Sequence, residues 1–124
     1  MITSLQLAAK FRANAVDMSH EAGASHLASA LSCIDIMAVL YHSVLRLDPQ
    51  HPEWEDRDRF ILSKGHAATA LYAALAYRGF ISDADLRTYG KAGSLLEGHP
   101  NPRLPGVEAA TGSLGHGLPC GCGI

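Results

Sequence analysis

Apolar positions recur with helical period through the first part of the chain. Leu5, Ala8, Ala9, Ala15 and Met18 fall broadly on one face of a helix from Ser4 to Glu21, and Gly23 ends it. Ser32 and Asp35 form an S-x-x-D capping box that predicts a second helix to Val44, with Ile36, Met37, Leu40, Tyr41 and Val44 as its apolar stripe. Asp48-Pro49 opens a charged loop that runs to Asp58. Arg59-Phe60-Ile61-Leu62-Ser63 is short, apolar and bounded by turn residues, which predicts a buried strand. An Ala- and Leu-rich third helix is predicted from Ala67 to Tyr77, stopping at Gly79. Ser82 and Asp85 form another capping box, starting a short helix to Tyr89. One strand among several helices predicts the beginning of an α/β layered domain. A parallel sheet needs further strands, which this chain barely supplies.

The pattern changes near residue 90. Only Gly23, Gly65 and Gly79 precede Gly90, whereas the other nine of the twelve glycines lie from Gly90 to Gly123. Pro100, Pro102, Pro105 and Pro119 share that stretch. Residues 90–124 therefore read as a Gly/Pro-rich loop region. Their apolar content (Leu95, Leu96, Leu104, Val107, Leu114, Leu118) and scarcity of charge favour a binding loop over disorder. Residues Leu118 to Ile124 read as the opening turns of a further helix.

At 124 residues the chain has the length of one small domain. Its 48% apolar content suffices for a packed core. A net charge of −2 leaves no footprint for nucleic acid or an anionic membrane. No apolar run approaches the ~20 residues of a membrane helix. The start Met1-Ile2-Thr3-Ser4 lacks the features of a signal peptide, so a cytoplasmic setting is expected. Three cysteines, two of them in Cys120-Gly121-Cys122, do not make a disulfide framework. Cys33 reads as a small core residue.

Candidate chemistry lies in the histidines. His26, His66, His99 and His116 stand beside small residues, where a ligand can approach both ring and backbone. Neutral imidazole donates at one nitrogen and accepts at the other, which suits polyhydroxylated or phosphorylated ligands and proton shuttling. Each one alone reads first as a loop or buried histidine with a satisfied hydrogen bond; four in such settings shift the reading toward function. Their spacing offers no H-x3-5-H or C-x2-C pair, so no metal site is expected. Lys64-Gly65-His66 lies past the carboxyl end of the predicted strand, where open α/β sheets bind ligands. The Lys64 charge and the following helix N-terminus favour an anion there; the plain alternative is an ordinary strand–helix turn. Thr111-Gly112-Ser113-Leu114-Gly115-His116-Gly117 follows the same logic, although it is neither a Walker loop nor G-x-G-x-x-G. Glu97, Glu108 and Asp58 are candidate carboxylates without a spacing that pairs them, and Glu53 to Asp58 reads as a solvated cluster with which Arg57 and Arg59 pair.

Taken in order, these segments resemble the N-terminal part of a transketolase, closest to the split form whose N-terminal half is a separate subunit. Ala24-Ser25-His26-Leu27-Ala28-Ser29-Ala30-Leu31-Ser32 with Asp35-Ile36 resembles G-H-x-G-G-S-L-S-x-x-D-I-L. Asp58-Arg59-Phe60-Ile61-Leu62-Ser63-Lys64-Gly65-His66-Ala67 is close to D-R-F-x-L-S-K-G-H. Glu97-Gly98-His99-Pro100, then Pro105-Gly106-Val107-Glu108 leading into Thr111 to Leu118, complete a match along essentially the whole chain. The combination is specific although no single piece is.

The resemblance implies an α/β fold, an incomplete portion of a parallel-sheet thiamine diphosphate-binding domain over residues 1–124, with helices around few strands. It implies transfer of a two-carbon ketol unit between sugar phosphates, with thiamine diphosphate doing the hard chemistry and the protein supplying orientation and proton relays. By resemblance, His26, His66 and His99 line the substrate channel or meet the diphosphate, and His66, Gly112, Ser113, Leu114 and His116 contact the cofactor. His116 stands where some relatives carry Gln. Ser25 and Ala28 replace two glycines of the pattern and add side chains beside the presumed pocket. No Gly-Asp-Gly occurs, so the ligands of the expected magnesium are not in this chain. The expectation is a truncated subunit, inactive and marginally stable alone, that works with a C-terminal transketolase subunit carrying the pyrimidine-binding domain in a homo- or hetero-oligomer. The alternatives are a non-catalytic module that binds a transketolase partner, a 1-deoxyxylulose-5-phosphate synthase-like or dehydrogenase E1-type relative, and, disfavoured by spacing, a His-rich metal binder.

Overall fold

Thr3 sets the start of the first helix. Its hydroxyl accepts from the Gln6 N–H while the Gln6 side chain accepts from the Thr3 N–H, a capping box that satisfies two otherwise free donors. The computed structural model describes residues 1–124. It comprises α1 (Ser4–Glu21), α2 (Leu27–Leu31), α3 (Ile34–Val39), a π-helical turn (Leu40–Val44), a 3-10 turn (Gly65–Ala67), α4 (Ala68–Arg78), α5 (Asp83–Leu86) and α6 (Gly117–Gly123).

α4 is the centre of the molecule. Every residue from Ala68 to Leu75 is buried, and α1, α3 and α5 pack around it. Its alanines explain how: small side chains let neighbouring helices approach on all sides. α1 buries Leu7, Ala8, Phe11, Ala15 and Met18 against it, while Leu5 and Ala9 face solvent. The predicted face was thus right at Ala8, Ala15 and Met18 and wrong at Leu5 and Ala9, because alanine, common on both sides of α1, marks a stripe poorly and Phe11 decides it. α3 buries Ile34, Met37 and Ala38, the π-helical turn buries Tyr41, and Ile36 and Val44 of the predicted stripe are exposed. Cys33 is half-buried at the edge of this core, as a small residue there would be.

The second predicted helix corresponds to α3 continued by the π-helical turn, and it starts at Ile34 after Cys33 rather than at a Ser32 cap. The separate α2, which opens at His26 and ends before Ser32, carried no signal read from the sequence. Ser32 does not cap: its hydroxyl turns back to the Ser29 carbonyl, and Asp35 is spent on an ion pair with Arg12 of α1. The Ser82–Asp85 capping box does form, but α5 stops at Leu86 and the chain continues in turns through Tyr89. α4 starts one residue later than expected and ends at Gly79, whose φ of 87° suits glycine.

Residues Arg59 to Ser63 run without regular structure, and no β-strand forms anywhere in the chain. The predicted strand, and with it a parallel sheet, is absent from these residues. An apolar stretch can specify burial, but a strand needs a neighbouring strand to bond with. The charged loop is also more than a solvated run. Arg57 reaches the Glu108 carboxylate at 3.1 Å with both side chains only 11% exposed, and Asp58 pairs with Arg46. Arg59 donates to the Glu55 carbonyl. Glu53, Glu55 and Asp56 do face solvent.

Candidate functional site: an imidazole cluster beside a glycine-rich loop

Ser63 and Lys64 turn the chain sharply into the 3-10 turn that carries His66, ahead of α4. Gly65 makes this possible, since a Cβ there would lie 2.3 Å from the Thr111 carbonyl oxygen. His66 is half-buried, and its Nδ1 is shut off from solvent with no hydrogen-bond partner. Such a nitrogen is uncommon in a finished core.

Two further imidazoles meet this ring edge to face. His26 and His66 have ring centroids 4.7 Å apart at 79°, and His66 and His99 have centroids 4.7 Å apart at 80°. His26 reaches its place through a left-handed backbone, φ 72°, the sole non-glycine residue of the chain with positive φ. That conformation costs roughly 1–2 kcal/mol and concentrates at functional positions. It ends the turn after α1 and starts α2 with the ring pointing at His66. His99 is held from below: the buried Tyr72 hydroxyl of α4 donates to the Glu97 carbonyl at 2.7 Å and lies 3.1 Å from that of His99. Burial, with Tyr89 and Glu97 nearby, pushes the Tyr72 phenol well up, so it remains a donor. Desolvation, then the neighbouring His99 and His26, holds the His66 imidazole below the ordinary histidine value. The middle ring therefore stays neutral to lower pH than an ordinary histidine, a form that can both donate and accept.

The glycine-rich tail supplies the opposite wall. A Cβ on Gly112 would lie 3.1 Å from the His99 ring, so the bare backbone packs on the imidazole. Gly112, Ser113 and His116 line an open cleft of about 400 Å³ with Glu97, His99 and Asn101. Leu114, between Ser113 and the rest of the loop, does not line this cleft and is 73% exposed. His116 shares the cleft but makes no ring contact with the imidazole cluster. Ser25 and Ala28 are exposed and take no part in the cleft wall. Lys64 is not a free cation: its ammonium group donates to the Ser29 carbonyl and the Ser32 hydroxyl, both at 2.7 Å, so it ties α2 to the His66 turn. Of the candidate carboxylates only Glu97 lies at the cleft, because Glu108 and Asp58 are taken by Arg57 and Arg46. No three His, Cys, Asp or Glu side chains are arranged to hold a metal ion.

Sequence reasoning missed Tyr72, Asn101 and the structural use of Lys64. Tyr72 carries no local signal, since its partners lie 25 and 27 residues away. Asn101 stands four residues from Glu97 in a Pro-rich stretch, and its amide donates to that carboxylate at 3.4 Å.

The same arrangement of elements occurs in solved transketolases. That from Leishmania mexicana superposes with a TM-score of 0.86 at 35% identity, covering 95% of this chain and 18% of that one. The Campylobacter jejuni enzyme gives 0.85 at 36% identity, covering 95% of this chain and 19% of that one. In sequence, an apulose-4-phosphate transketolase subunit from Phocaeicola vulgatus is 44% identical over 115 residues, 93% of this chain and 41% of that protein. Human transketolase is 43% identical over 115 residues, 93% of this chain and 18% of that protein. The chain thus spans between about a fifth and two fifths of the length of these relatives. No helix is long and apolar enough to cross a membrane. The family described as transketolase, thiamine diphosphate binding domain, matches residues 3–124, nearly end to end, and the chain belongs to that family.

Proposed function

We propose that this chain contributes the imidazole cluster and glycine-rich loop of a thiamine diphosphate-dependent transketolase, which transfers a two-carbon ketol unit between sugar phosphates. The observation that carries the reading is the convergence of His26, His66 and His99 beside Gly112, with the His66 Nδ1 buried and unpartnered. The donor set fits the cofactor: imidazoles, the exposed Ser113 and a side-chain-free Gly112 offer hydrogen bonds and close backbone approach to a diphosphate or a polyol. Thiamine diphosphate, when bound, supplies the electron sink that no side chain offers. In this reading His66, Gly112, Ser113, Leu114 and His116 hold it, while His26, His66 and His99 orient the sugar hydroxyls and carry protons between them. Residues 90–124 are the loop region that closes on both. Magnesium ligands and the pyrimidine-binding domain come from outside these 124 residues, in the manner of a C-terminal transketolase subunit within a homo- or hetero-oligomer. The chain alone is then inactive, and the cytoplasmic setting expected from the sequence belongs to the same reading.

The test is reconstitution. The chain is co-expressed with a candidate C-terminal transketolase subunit, and two-carbon transfer from a ketose phosphate to an aldose phosphate is followed with thiamine diphosphate and magnesium present. Turnover by the pair is expected. His66→Gln and His99→Ala are each expected to lower kcat/KM by about 100-fold or more, the usual scale of a lost proton relay. Wild-type rates in both variants would overturn the assignment. A stable pair without turnover would favour the non-catalytic module.

A further inference from the structure

Two long-range hydrogen bonds clasp the segment before His66 to the glycine-rich tail. The Thr111 hydroxyl donates to the Leu62 carbonyl at 2.6 Å in a buried position, and the Gly117 N–H donates to Ser63 Oγ at 3.1 Å. Their partners are 49 and 54 residues apart, so no local turn accounts for them. Both junctions are backbone-tight. A Cβ on Gly65 would lie 2.3 Å from the Thr111 carbonyl oxygen, and one on Gly117 would lie 2.6 Å from Ser63 Cα. Thr111 is one of only three buried polar side chains in the chain.

The clasp joins the segment that leads into His66 to the one that leads into the cleft-lining Gly112-Ser113 loop. Thr111 precedes Gly112, which packs on the His99 ring. Leu62 to Gly65 precede His66, whose ring meets that of His99 edge to face. From this geometry we infer that Thr111 is a positioning residue: its hydroxyl bond to the Leu62 carbonyl, backed by the Ser63–Gly117 bond, sets the spacing between His66 and the Gly112-Ser113 loop. The inference rests on the proposed site, since it gives that spacing a ligand to serve. Hydroxyl and shape are separable here. Valine keeps the volume of threonine but leaves the Leu62 carbonyl without a donor; serine keeps the donor and loses only a methyl group.

The experiment uses the full chain with isotope-labelled histidine and follows each imidazole by NMR against pH. In Thr111→Val the rings of the cluster part and water reaches His66, so its midpoint is expected to rise toward the ordinary histidine value as it separates from His26 and His99. Thr111→Ser is expected to restore the wild-type midpoint. In the complex with the C-terminal subunit, thiamine diphosphate affinity is expected to fall about tenfold in Thr111→Val and to recover in Thr111→Ser, the scale of one hydrogen bond. An unchanged His66 midpoint in folded Thr111→Val overturns the inference, as does a shift that serine fails to reverse. Should Thr111→Val not fold, Ser63→Ala removes only the outer bond. A smaller rise in the same direction then supports the clasp, and none overturns it. A His66 shift as expected, in a complex that binds no thiamine diphosphate even as wild type, would leave the clasp standing and remove the functional reading.

Discussion

His26 shows how much a single residue carries. Its left-handed backbone is tolerated because the ring gains a place beside His66. His26→Gly and His26→Ala both remove that ring, but only glycine relieves the backbone. The glycine variant is expected to be the more stable of the two by about 1 kcal/mol, read as the difference between their urea midpoints. Equal midpoints would mean that the turn relaxes in the alanine variant. His66 adds a pH dependence whose sign follows from burial. Its folded-state value lies below the ordinary one, so the unfolded chain takes up the proton first. The contribution is complete above about pH 6.5 and is lost as pH falls through the folded-state value. Melting temperature is therefore expected to drop on acidification from about pH 7.5 to about pH 5.5, and His66→Gln to flatten part of that slope. A slope identical in His66→Gln would place the proton uptake elsewhere.

Among the elements, local signals were readable and long-range ones were not. The Ser82–Asp85 capping box and the glycine stop of α4 need only neighbouring residues, and both form as read. Ser82→Ala is expected to cost about 1 kcal/mol in chemical denaturation, the usual value of such a cap. The box at Ser32–Asp35 has the same letters and fails, because Arg12, across on α1, takes Asp35. The stripes of α1 and α3 were right at Ala8, Ala15, Met18 and Met37 and wrong at their edges for a related reason: with α4 buried all round, packing chose Phe11 and Ile34 over Leu5 and Ile36. The Arg57–Glu108 pair is the clearest long-range case. It pins the charged loop to the tail ahead of Thr111, and both side chains are nearly buried. Removing one partner strands a charge, so Arg57→Met alone is expected to cost about 3 kcal/mol. The double variant with Glu108→Leu is expected to cost less than the two singles added, measured as a double-mutant cycle in urea. Strict additivity would show that the pair is not coupled in solution.

For the whole molecule, what was legible in the sequence was the order of the motifs; what was not was the closure of the structure around them. The order of the segments around His26, His66, His99 and Gly112 pointed to one shared site, and the helices bring those residues together although each pair is separated by many residues. The sheet was not legible in the same way, since residues 59–63 find no neighbouring strand here and take no regular structure. That leaves apolar surface along the same edge. Leu118 of α6 is 74% exposed and shares an open groove with Ile61 and Cys122. A side chain so exposed contributes little to folding, within about 0.5 kcal/mol, but contiguous apolar surface promotes self-association. Leu118→Glu is therefore expected to leave the thermal midpoint of the chain unchanged while lowering its weight-average mass in sedimentation at high concentration. A fall in the midpoint with no change in mass would mean that Leu118 is packed within the chain in solution, and that α6 closes over residues 59–63 more fully than its exposure indicates.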